Sequence, residues 1–377
     1  MSESSRVLVT GGAGFIGSYL VDALVQRGYH VRVFDSLEPQ VHGPTRDVPE
    51  YLNPAAELVV GDVRDRSALM RALDGISVIF HYAAAVGVGQ SMYEIQRYVE
   101  ANTLGGANLL DILANEEHGV EKVIVASSMS IYGEGKYDCS ECGVTYPQLR
   151  SDQQLRERKW EMRCPHCGRE VRPLPTDENK PLYPSSIYAV TKRDHEEMFL
   201  CFGRAYRIPT VALRFFNVYG PRQALSNPYT GVAAIFSARL LNDQPPVIYE
   251  DGLQSRDFIH VQDVIRASLL AMERVEADYE VFNVGTGRPL TILEIARVLI
   301  DSLADAGLEP EVAGQCRRGD IRHCFADIGR IKERLGFVPQ VSFEDGISDL
   351  ISWVREQRVV DKFDVVAEEL ADKFLVL

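Results

Sequence analysis

At 377 residues, 46% of them hydrophobic and 25% charged, the chain has ordinary globular composition and enough length for one large α/β domain or two smaller ones. Its net charge of −14 and pI near 5.1 argue against nucleic acid or an anionic membrane as a partner. A diffuse negative field repels both, and leaves any phosphate-bearing ligand to be held by local donors. No apolar run approaches the ~18 residues of a membrane span. The opening MSESSRVLVTGGAG lacks an apolar signal core, so the cytosol is the expected compartment.

Short apolar, β-branched runs predict strands at Val7–Val9, Val31–Phe34, Leu58–Val60, Val78–Phe80, Val123–Ala126 and Thr210–Leu213. Helical spacing separates most of them, at Ile16–Arg27, Arg66–Leu73 and Leu104–Ala114. Alternating βαβ units predict an α/β fold, a doubly wound parallel sheet with helices on both faces. Beyond about Phe215 the alternation is less regular and Pro and Gly increase. Phe258–Met272 and Val281–Leu303 still read as strand followed by helix. A dinucleotide-binding domain is expected over 1–213 and a smaller substrate domain over 214–377, with about 256–282 returning to the first. Residues 136–173 carry two CxxC pairs, many charges and little apolar periodicity, and read as an insertion at a strand end, where functional loops sit.

The first strand runs into Gly11, Gly12, Gly14 and Gly17, with Phe15 and Ile16 opening the helix. Glycines at this spacing permit a tight turn and close approach of backbone to a pyrophosphate at a helix N-terminus, the Rossmann-type arrangement. A lone GxGxxG is weak evidence and could be a structural turn. Here a second strand follows, ending at Asp35, whose carboxylate can bind ribose hydroxyls. That carboxylate would repel a 2′-phosphate, and no Arg or Lys follows before Arg46. NAD is therefore the expected cofactor, in preference to NADP.

Tyr188 and Lys192 form YxxxK on an expected helix, where residues four apart share a face. A tyrosine hydroxyl normally titrates near ~10. A nearby ammonium and a cationic nicotinamide ring would each favour the phenolate and make it a usable base. YxxxK is frequent by chance, and its ordinary meaning is an exposed helix surface. What adds weight is Ser127-Ser128-Met129-Ser130-Ile131-Tyr132-Gly133 after the strand at Val123–Ala126.

GGAGFIG, Asp62-Val63, His81-Tyr82-Ala83-Ala84, SSMSIYG, YxxxK and Arg214-Phe-Phe-Asn217-Val-Tyr-Gly-Pro221 together resemble the extended short-chain dehydrogenase/reductase family of nucleotide-sugar enzymes. The likeness covers nearly the whole chain outside the insertion. It implies Ser128, Tyr188 and Lys192 as catalytic residues: a hydroxyl on the reacting sugar oxygen, the base, and an orienting ammonium on the cofactor ribose. It implies Asp62, Val63 and Ala83 beside the dinucleotide and Asn102 lining the active site. Ser130, Asn217, Arg256 and Arg317 would meet the substrate, the last three at its diphosphate. Arginine suits phosphate because its planar fork donates paired hydrogen bonds. The family's habit also implies a homodimer packed through helices near Gly105–Leu113 and Tyr188–Gly203.

Within that family, dehydratases carry Asp-Glu directly after the position of Ser128, and decarboxylases a Glu at the position of Ser130. This chain has Met129 and Ser130, which is similar to the 4-epimerases. An epimerase requires no additional acid: a ketosugar forms, turns over and is reduced on its other face. The expected substrate is a nucleotide-diphosphate hexose.

Cys139-x-x-Cys142 and Cys164-x-x-Cys167 lie 21 residues apart, each pair followed by glycine, Gly143 or Gly168. Four thiolates suit a closed, structural tetrahedral Zn²⁺ site. Redox pairs or free thiols are the other readings. Zinc ribbons also bind nucleic acid, so a dinucleotide-sensing regulator on a dehydrogenase fold is the competing class. Retention of Ser128, Tyr188 and Lys192 speaks against it. So does the balance of eight basic and six acidic residues within 136–173, too even for a phosphate-binding face. The insertion leaves the sheet one turn after Ser128, and is expected to form a lid or wall at the sugar pocket.

Overall fold

The computed structural model describes residues 5–304 and 307–377. The first four residues, part of the segment read above as free of an apolar leader, lie outside it. Seven parallel strands form the main sheet, in the order Val281–Val284, Thr210–Phe215, Lys122–Ser128, Val78–His81, Arg6–Thr10, His30–Asp35 and Glu57–Val60. The expected doubly wound sheet is therefore present. Its chain order reverses between Arg6–Thr10 and Val78–His81, and ligands of open α/β sheets bind in the crevice at such a point.

Period-two alternation explains why these runs are strands buried on both faces. Val7 and Val9 enter one apolar layer, and Leu8 between them enters the other. The first layer is closed by the helices Phe15–Gln26, Val261–Glu273 and Gly329–Leu335, the second by Arg66–Ala72, Gly105–Asn115 and Ile187–Tyr206. A third cluster gathers Val232–Leu241, Ile292–Leu303 and Phe343–Val354 around a small four-stranded sheet. The helix Ile292–Leu303 starts at a capping box, Thr291 with Glu294, which satisfies its first amides. The strand Val281–Val284 and the helix Val261–Glu273 belong to the main sheet and its first layer. The strand before that helix, Ser255–His260, pairs in the smaller sheet.

No helix among the described residues is long and apolar enough to cross a membrane.

Candidate active site

A cavity of about 670 Å³ opens along the carboxyl ends of the strands at the reversal point. At one end it is lined by Gly11, Gly14, Phe15, Ile16, Gly17, Asp35, Asp62, Val63 and Ala83. Gly11 has φ +72°, and a Cβ there would lie 2.8 Å from the Ala83 nitrogen; at Gly17 it would lie 2.2 Å from the Gly11 carbonyl. Strand, loop and helix thus close to distances that only glycine allows. The helix Phe15–Gln26 has Gly14 at its N-cap and no side-chain cap, so its first amides are available to an anion. Asp35 is buried and accepts from the Ala13 amide (3.0 Å) and the Leu37 amide (2.9 Å). Those bonds hold the carboxylate at the loop edge. Asp62 pairs with Arg64 at 2.6 Å, and that hydrogen bond holds it below the usual carboxylate range.

In the middle stand Ser128, Ser130, Tyr188 and Lys192. The helix Ile187–Tyr206 begins where the Ser186 hydroxyl accepts from the Ala189 amide at 3.1 Å. That cap sets Tyr188 and Lys192 on the face turned to the cavity. Lys192 Nζ donates to the Ala126 carbonyl at 3.0 Å, and the Tyr188 amide donates to Ser91 Oγ at 3.0 Å. Ser130 Oγ donates to Ser128 Oγ at 2.9 Å.

The electrostatics differ from the expectation raised for this pair. Burial pushes the Tyr188 hydroxyl up to about 12, and the Ser128 hydroxyl beside it pulls the other way. Burial also draws Lys192 down to about 7. In the protein alone desolvation outweighs any help from the ammonium. Asn102 is also placed differently. It lies in a π-helical turn, Val99–Leu104, fully buried behind the wall. Its amide exchanges hydrogen bonds with the Ala85 backbone (2.8 and 3.1 Å) and donates to Thr191 Oγ1 at 3.0 Å. Asn102 therefore fixes the loop that lines the cavity and does not line it.

At the far end lie Asn217, Arg256 and Arg317. Asn217 Oδ1 is buried without a hydrogen-bond partner. A polar atom orphaned at a cavity wall is costly unless a ligand or water meets it. Arg317 pairs with Asp320 at 2.9 Å and lies over the Tyr249 ring. Arg256 donates to the carbonyls of Ile321 (2.6 Å) and Arg322 (3.0 Å). The sequence reading missed the last helix, Phe363–Asp372, whose Phe363, Val366 and Leu370 also line the cavity, Leu370 lying against Gly89. Their i, i+3, i+7 spacing was the available signal. Tyr229 and Tyr93 anchor the helix through Glu369, at 2.8 and 3.0 Å.

The four cysteines come together as expected. Residues 136–174 form a small antiparallel sheet of Lys136–Cys139, Gly143–Thr145 and Arg172–Leu174. The four Sγ atoms all lie within 4.8 Å of one another. Zinc–sulfur bonds of about 2.3 Å in a tetrahedron give sulfur–sulfur edges of about 3.8 Å, so the thiol set fits such an ion. Gly143 and Gly168 have φ +72° and +75° at the two knuckles, which is why glycine follows each pair. The insertion is, however, neither lid nor wall: none of its residues 136–173 lines the cavity. It packs behind the stretch that carries Arg317.

The family described as NAD dependent epimerase/dehydratase matches residues 7–151 and 167–285, with the break inside the insertion. The chain is 35% identical to dTDP-L-rhamnose 4-epimerase of Burkholderia thailandensis, over 94% of this chain and 96% of that one. Among solved structures it is similar to the UDP-glucose 4-epimerase of Thermotoga maritima with UDP-glucose: TM-score 0.75, 33% identity, 93% of this chain and 99% of that one. It is also similar to the Thermus thermophilus UDP-glucose 4-epimerase complex with NAD: TM-score 0.73, 31% identity, 94% and 100% covered. A glycine-cradled dinucleotide pocket, a buried tyrosine–lysine pair beside Ser128, and similarity over nearly the full length lead to one assignment: the chain belongs to the NAD-dependent epimerase/dehydratase family of nucleotide-sugar enzymes.

Proposed function

We propose that the protein inverts C4 of a nucleotide-diphosphate hexose, converting dTDP-L-rhamnose and dTDP-6-deoxy-L-talose into one another, with NAD bound throughout. The observation that carries the reaction type is Ser128 beside the Tyr188 phenol, with Met129 and Ser130 following it. The site thus has a proton acceptor and a hydroxyl to orient the substrate, and lacks the acidic pair that elimination uses. Support for a 6-deoxy sugar comes from the Burkholderia relative and from the apolar side chains Val86, Val88, Val366 and Leu370 along the cavity. A methyl group suits such a wall better than a carboxylate does.

Gly11, Gly14, Gly17 and the open helix end would hold the dinucleotide's pyrophosphate, Asp35 its adenosine ribose and Lys192 its nicotinamide ribose. When bound, NAD would accept a hydride from C4 and later return it. Ser128 would orient the C4 hydroxyl, and Tyr188, ionised with the cationic cofactor bound, would take its proton and give it back after the ketosugar has turned over. Asn217, Arg256 and Arg317 would hold the diphosphate while the hexose rotates. The same reading assigns residues 1–213 to cofactor binding and 214–377 to the sugar nucleotide. It gives the four cysteines a structural zinc, and a homodimer partner to the exposed Leu104 and Val190. Incubating dTDP-L-rhamnose with the protein and no added cofactor should yield its C4 epimer. Consumption of added NADH would make this a reductase, and loss of water a dehydratase.

A further inference from the structure

The insertion carries a set of buried charges that no step of the proposed reaction uses. Arg150, its side chain 2% exposed, donates to both oxygens of Glu250 at 2.9 and 2.7 Å. Glu250 is just as buried and also accepts from Arg322 at 3.0 Å. Arg322 is fully buried and pairs in addition with Asp251 (2.6 Å) and with Glu161 of the insertion (2.5 Å). Glu161 meets His323 at 3.2 Å, and His323 bonds Ser255, the neighbour of Arg256, at 2.8 Å. Arg150 reaches the Asp320 carbonyl at 3.3 Å, and Asp152 pairs with Arg318 at 2.8 Å. Two stretches of cavity wall are thereby tied to one module: 249–256, with Tyr249 and Arg256, and 317–323, with Arg317.

Burying two guanidiniums and their carboxylates costs desolvation that well-packed apolar side chains would avoid. Such a network defines position better than it adds stability, because each fork accepts only one arrangement of its partners. Arg256 shows the consequence, since its guanidinium is held by the carbonyls of Ile321 and Arg322. We propose that the cysteine-bearing insertion is a positioning module: through Arg150 and Glu161 it fixes these two stretches so that Arg256 and Arg317 are preset for the substrate's diphosphate. Arg150, Glu161 and Arg322 are positioning residues outside the cavity lining, and Glu250, at the wall itself, is held by both arginines. The inference rests on the reading of this end as the diphosphate site.

The test compares the full-length protein with Arg150→Met and with the paired variant Glu161→Gln, Asp152→Asn. The second alters half-exposed side chains and protects against a misfolded first. Amide hydrogen exchange over 247–256 and 315–323 is followed with affinity for dTDP and UDP, affinity for NAD, and steady-state kinetics. Both variants should exchange faster in these two stretches. They should bind the nucleoside diphosphate about tenfold more weakly and raise KM by a similar factor, with kcat and NAD affinity within about twofold. Unchanged exchange and affinity in a folded variant would overturn the inference. Faster exchange in a protein whose wild type binds neither dTDP nor UDP would instead uphold the coupling and remove the diphosphate reading.

Discussion

At the residue scale, the decisive quantity is the proton affinity of Tyr188. Burial alone holds its hydroxyl up to about 12, too high for a base at neutral pH. Positive charge brought by the bound nicotinamide ring should lower it. An ultraviolet phenolate titration, taken as wild type minus Tyr188→Phe, should place this group near 12 without NAD and lower with it. By linkage, NAD should then bind more tightly as pH rises through that titration; a midpoint unmoved by NAD would remove the cofactor from the activation of Tyr188. In turnover, Tyr188→Phe should keep fold and NAD binding but lose ~10²-fold or more, the range for a general base. Ser128→Ala should lose less, because Ser128 orients a proton it does not finally accept. Asp35 predicts tighter binding of NAD than of NADP. Its buried carboxylate lies 3.9 Å from His42, whose titration burial draws down, and the arginines that line this end, Arg64 and Arg97, are already paired with Asp62 and with Glu38 and Glu94. Denatured protein releasing chiefly NADP would contradict this.

At the element scale, the last helix lines the cavity and the insertion braces its wall from behind. The insertion has only a small core, Tyr137, Met162, Val171 and the two buried cysteines Cys139 and Cys164. So few apolar side chains do not hold a separate unit together without a staple. The freshly purified protein should therefore contain one zinc per chain by elemental analysis. Cys164→Ser should lower the unfolding temperature more than it changes kcat, because metal binding is coupled to local folding. Metal well below one equivalent would leave the cysteines as free thiols. The last helix is tied down by its tail: the backbone of Cys316 and Leu377 is doubly bonded, at 3.1 and 2.8 Å, and Arg318 donates to Leu375. The same stretch that carries Arg317 is thus braced by the insertion on one side and by the chain's last residues on the other.

At the scale of the whole molecule, residues from both halves of the chain line one cavity, so under the proposed function cofactor and sugar would share it. Hydride removed from a sugar there can return to the same carbon. Deuterium placed at C4 of the dTDP-sugar should remain at C4 of the epimer, with no exchange into water and no external NADH consumed. Washout of the label would mean that the intermediate loses its hydrogen by proton exchange, which would sink the oxidation–reduction scheme.

The dinucleotide end was legible in the sequence because its signals are local. A strand, four glycines and a helix lie within one short segment, and Asp35 closes the next strand. Tyr188 and Lys192 were legible because helical spacing fixes their common face, and the cysteine pairs because each knuckle is four residues and a glycine. Tertiary structure decided what depends on distance through space. It set Asn102 behind the wall, since a π-turn directs its amide to Ala85. It raised the Tyr188 titration through burial, which no spacing encodes. It turned the insertion away from the cavity and onto Arg322, a residue 161 positions beyond Glu161. An isolated arginine in a loop reads as a solvated charge, and only the packed fold buries it among three carboxylates from two other segments.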